Sequence, residues 1–84
     1  MAIFENIINH KISSITADEL LRYASQFNIS ITEAQADKIA GYLRGKKVNI
    51  FNDSERTALI KQIARITNPE TAREVNKLFV KFTK

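Results

Sequence analysis

The sequence predicts an all-α fold, a single compact domain of about five short helices. Three observations carry that expectation. Four segments open with side chains suited to cap a helix. Between them, apolar residues recur at i, i+3 and i+4. The chain is 84 residues long, enough for one domain only.

The first segment opens the chain and places Ile3, Phe4, Ile7 and Ile8 on one face, which predicts a helix over 3–10. Thr16-Ala17-Asp18-Glu19 then reads as a capping box: the threonine hydroxyl accepts an amide three residues on, and the glutamate reaches back. Leu20, Leu21, Ala24 and Phe27 follow with helical spacing, with Tyr23 at the edge, predicting a helix over 17–27. Thr32-Glu33-Ala34-Gln35 repeats the device ahead of Ala36, Ile39, Ala40 and Leu43, predicting 33–44. Gly45 suits the left-handed residue after a helix end. Gly41, inside that helix, is expected to mark the close approach of another helix.

Asn52 is the expected cap of a fourth helix over 53–66, whose apolar face is Leu59, Ile60, Ile63 and Ile66. Asn68-Pro69 supplies cap and first residue of a fifth over 69–82, since proline's missing N–H costs nothing at that position. This helix carries Ala72, Val75, Leu78, Phe79 and Phe82. Ile29, Ile31, Val48, Ile50 and Phe51 fall in the connections and are expected to plug the ends of the core. Ile29-Ser30-Ile31 and Val48-Asn49-Ile50 alternate with period two, which leaves room for a tiny two-stranded bridge between loops; coil is favoured, because isolated strand pairs are weak.

Composition narrows the function. The chain has no cysteine, which removes disulfides, thiolate catalysis and cysteine-based zinc sites, and is consistent with a reducing compartment. No apolar run approaches the roughly 18 residues of a membrane span. The first residues carry an acid and lack the basic flank of a secretory signal, so a cytoplasmic location without membrane attachment is expected. The only histidine, His10, lies near a helix end, where it serves as a capping cation. No histidine–carboxylate spacing suggests a metal, so no enzyme activity and no cofactor are expected.

Two familiar binding patterns fail on detail. Gly41 to Lys47 approaches a phosphate-binding loop, but it has three residues between its glycines where four are needed, and Lys47 replaces the magnesium-binding hydroxyl. Residues 20–43 have the outline of a helix-turn-helix, yet the second helix would present Glu33, Gln35, Asp37 and Lys38 to the DNA, with an acidic first turn where phosphate contact is required.

Charge is uneven. Residues 1–43 hold three basic and five acidic side chains, whereas residues 44–84 hold ten basic and four acidic ones, within a net charge of +4. Arg44, Lys46, Lys47 and Arg56 flank one loop, and Arg73, Lys77 and Lys81 form a stripe on the last helix. These seven are the candidate contacts to nucleic acid or another anion. Much of the pattern also matches helix-dipole preference, with acids in first turns and bases in last turns, so nucleic acid is a possible but unfavoured partner. Phe79, Val80 and Phe82 make the last helix apolar around more than one stripe and are the candidate contacts to a protein. The leading expectation is a non-catalytic protein-interaction module binding a protein partner or itself as a homodimer. The alternative is a nucleic-acid-binding accessory protein using the basic second half.

The runs ITADELLRYASQF, ITEAQADKIAGYLRGKKVNIF, ERTALIKQIARIT and NPETAREVNKLF, following Ile8 to Ile12, resemble a family of short uncharacterised proteins (a domain of unknown function) from Bacillus-type bacteria. The resemblance covers nearly the whole chain, and QAD-x-I followed by GKKVNI is its most specific part. It implies no activity, cofactor or site residue. Residues 51–66 are also similar to part of a small sporulation protein of the same bacteria, which implies a sporulation-linked adaptor as a further alternative.

Overall fold

Each helix after the first begins where a side chain takes over a backbone amide that the helix itself leaves without an acceptor. The computed structural model describes the backbone of residues 2–83 and the side chains of residues 5–81. It contains five helices: α1 (Ala2–Ser13), α2 (Ala17–Gln26), α3 (Glu33–Leu43), α4 (Asp53–Ile66) and α5 (Pro69–Thr83). Thr16 and Thr32 form complete capping boxes with Glu19 and Gln35. Asn52 accepts the Glu55 amide at 3.0 Å, and Asn68 accepts the Thr71 amide at 2.8 Å with Pro69 at the first helical position.

The helix ends are equally local. α2 closes with Asn28 at φ 58, donating from Asn28 N to Ser25 O and from Ile29 N to Ala24 O. That pair of bonds is the Schellman pattern, with asparagine in the place glycine usually takes. α3 ends at Arg44 (φ −62, ψ 124), and Gly45 follows at φ 77 while Lys46 N donates to Leu43 O. This is a type II turn, which needs a positive φ at its third residue.

Packing then runs in sequence order: α2 lies on α3, α3 on α4 and α4 on α5. Their facing stripes make one core of Ile15, Ile39, Leu43, Ile50, Leu59, Ile63 and Ala72. Ile50 and Leu59 are its most enclosed members, at 0% and 1% exposure. Ile50 thus plugs the core from a loop, as its apolar side chain between two helices suggests.

α1 is held differently. Among the described residues it makes no comparably close pairing with another helix. Ile8 and Ile12 pack against the core. Asn9 completes the attachment: its amide donates to Asn49 Oδ1 at 2.9 Å, and its own Oδ1 accepts the Ile50 N–H at 3.2 Å.

The same polar cluster explains why no two-stranded bridge forms. Residues 29–31 and 48–49 are coil, and no strand occurs among the described residues. The amides a ladder would need are taken by side chains. Asn49 N donates to Glu55, Ile50 N to Asn9, and Phe51 N to Asn49 Oδ1.

Gly41 also departs from expectation. A Cβ built there meets nothing within 4 Å, and the residue is exposed, so no helix approaches it closely. Gly41→Ala is therefore expected to stabilise the fold by about 1 kcal/mol, a rise in Tm of about 4–8 °C by thermal denaturation. An unchanged or lower midpoint contradicts the open surroundings of Gly41.

Candidate functional site

The loose seating of α1 leaves a cleft. α1, α2 and α5 form its walls, and the core forms its floor. Ile7, Ile8 and Ile12 contribute from α1, Leu20 and Tyr23 from α2, and Leu78 and Phe79 from α5. Phe27, at the end of α2, and Ile29 and Ile31, in the turn after it, line one end. Ile39, Leu43 and Ile63 of the core lie at the bottom. The hollow measures about 410 Å³ and opens to solvent. That volume lies in the usual range for ligand sites.

Three large apolar side chains on its border face water: Ile7 is 63% exposed, Phe27 46% and Tyr23 39%. Helical spacing alone assigns Ile7 and Phe27 to the core. Their exposure follows from the gap between α1 and its neighbours, because the apolar face is present but no neighbouring element covers it among the described residues.

Among the described residues, the lining carries one charge, Lys11, and one side-chain amide, Gln26. Lys11 Nζ is hydrogen-bonded and ion-paired to Glu19 Oε2. That bond raises the pKa of Lys11. It is also the main cause lowering that of Glu19, followed by the bond from the Thr16 amide. The pair ties the end of α1 to the start of α2, so the cleft itself remains almost wholly apolar.

Of the residues the sequence marks for protein contact, Phe79 enters the cleft. Val80 is half-buried and lies outside the lining, and the Phe82 side chain is outside the described residues. The seven marked cations fall on separate elements. Arg44, Lys46 and Lys47 are exposed in the turn after α3, with Lys46 Nζ 4.2 Å from the centre of the Tyr42 ring. This is a cation–π contact, and it gives Lys46 a structural partner that the sequence does not reveal. Arg56 turns inward: its side chain is 16% exposed, donating to Ile50 O at 3.1 Å and pairing with Asp53 at 2.7 Å. On α5, Lys77 lies 3.4 Å from Glu74, Lys81 is exposed, and Arg73 borders a small polar hollow together with Glu70 and Glu74.

The family model described as "Protein of unknown function (DUF2624)" matches residues 1–83. The chain belongs to the DUF2624 family. It is 51% identical over 83 residues to the uncharacterized protein YqfT of Bacillus subtilis (strain 168), covering 99% of each chain. No solved structure matches it. None of its helices is long and apolar enough to cross a membrane among the described residues.

In this DUF2624 chain, sequence reasoning missed Ile7 and Phe27 as surface features, whereas Tyr23 was read at the edge of its apolar face and is exposed. Asn9 was missed as the tie that holds one cleft wall. A usable signal for Asn9 exists: it is a polar residue at the edge of an otherwise apolar stripe, between Ile8 and Ile12. Its partner Asn49 lies 40 residues away, and nothing local points to it.

Proposed function

We propose that this DUF2624 protein is a non-catalytic protein-interaction module that receives an amphipathic helix of a partner protein in the cleft between α1, α2 and α5. The observation that carries the reading is the open apolar hollow bordered by exposed Ile7, Tyr23 and Phe27. Concave apolar grooves bind amphipathic helices through anchors spaced i, i+3, i+4 and i+7. Contiguous exposed apolar surface is uncommon on monomers unless something covers it. The nucleic-acid reading has less behind it, because Arg56 is committed to the loop backbone and Asp53 while Lys77 is shared with Glu74.

The test uses a short fluorescein-labelled helical peptide with a leucine stripe and glutamine flanks, followed by anisotropy. Saturable binding is expected. Phe27→Asp should weaken it by about tenfold or more, the loss of one buried phenyl contact. Lys47→Ala, in the basic turn, should leave it unchanged. Absence of binding, or binding equal in Phe27→Asp and the parent, contradicts the proposal.

A further inference from the structure

Charged side chains flank the cleft, whose own lining includes Lys11. Lys11 is matched by Glu19, and Lys77 by Glu74. At the end near Ile29, Arg73 shares the lining of the small polar hollow with Glu70 and Glu74. Two cations remain. Arg22 is exposed, adjoins the cleft residue Tyr23 in sequence, and lies close enough to Lys11 for their charges to oppose each other. Lys81 is exposed on α5, one helical turn beyond the cleft residue Leu78. They stand on different helices, α2 and α5, outside the lining itself and within one helical turn of the lining residues Gln26 and Leu78.

We infer that the occupant of the cleft is a helix whose apolar stripe is flanked by acidic residues, so that its carboxylates meet Arg22 on one wall and Lys81 on the other. The inference rests on the proposed helix-binding role and specifies its partner. Complementary charge at an interface rim sets partner choice and encounter rate more than it sets total affinity. A second copy of this chain is disfavoured as occupant. A twofold pairing would bring the same patch against itself and set the Arg22 and Lys81 surplus against its own copy. An anionic lipid surface offers the right charge, but a flat bilayer does not fill a concave hollow.

The test compares two labelled peptides with the same leucine stripe, one flanked by glutamates and one by lysines, at low and high salt. The glutamate peptide is expected to bind about tenfold more tightly at low salt, and the preference should shrink at high salt. Arg22→Glu/Lys81→Glu should abolish or reverse it. Arg44→Glu/Lys47→Glu, an equal change of net charge away from the cleft, should preserve it. Circular dichroism on both double variants checks the fold, which exposed side chains should leave intact.

Equal binding of the two peptides, or a preference that survives the Arg22/Lys81 reversal, overturns the acidic partner while leaving the cleft reading in place. Failure of both peptides to bind overturns the two together. Light scattering that shows a dimer dissociated by Phe27→Asp, or sedimentation with phosphatidylglycerol vesicles that requires Phe27, assigns the cleft to a different occupant and also overturns the inference.

Discussion

Leu59→Ala is expected to lower the free energy of unfolding by about 2–5 kcal/mol, through lost transfer energy and the cavity left behind. Leu59 is 1% exposed, and it packs with Ile50 and Ile63 in the core. A domain this short has a total stability of roughly 5–10 kcal/mol, so the variant should lose a large part of it. Phe27→Ala removes a larger side chain and is expected to cost only about 1 kcal/mol, because Phe27 is already 46% exposed at the cleft border. Urea unfolding of the two variants checks the pair. Similar losses, or a greater loss in Phe27→Ala, would mean that Phe27 belongs to a packed core and that the cleft is closed.

Asn9→Ala is the second large effect. Asn9 donates to Asn49 and accepts the amide of Ile50, a residue with no exposed surface. Truncation leaves that amide buried without an acceptor and removes the long-range polar tie of α1. A cost of about 1–3 kcal/mol follows from the stranded amide. The loss should be uneven along the chain. Amides of α1 should exchange with solvent much faster than in the parent protein, while those of α4 should quicken only by the smaller loss of global stability. Uniform acceleration in both helices would contradict the view that α1 is a separately attached wall.

The two variants also separate what is written locally in the sequence from what is not. Thr16, Thr32, Asn52 and Asn68 act within three or four residues of themselves, so the start of each helix they cap is visible in the order of residues. Gly45 is visible for the same reason, since the turn it permits spans four residues. Asn28 does the comparable work at the end of α2 and is harder to see, because asparagine takes the left-handed conformation less often than glycine.

The cleft belongs to a different class of information. Spacing shows that Ile7, Ile8 and Ile12 share a face, and likewise Leu20, Tyr23 and Phe27. It does not show whether a neighbour fills the space between those faces. That depends on how far α1 stands from α2 and α5, which is set by the Asn9–Asn49 tie and the Lys11–Glu19 pair. The first spans 40 residues and has no local signature. The bridge between residues 29–31 and 48–50 fails for a related reason: side chains from Asn9, Asn49 and Glu55 reach the backbone amides of the second segment before another strand does.

In the proposed function the cleft, and not the basic turn after α3, receives the partner. Methyl NMR of the isoleucines and valines during titration with the glutamate-flanked leucine peptide tests it most directly. Shifts are predicted at Ile7, Ile12, Ile29 and Ile31, on the cleft walls, with Val48 beside Lys46 and Lys47 unmoved. Shifts centred on Val48 and the neighbouring turn, with the four cleft isoleucines unchanged, would contradict the account.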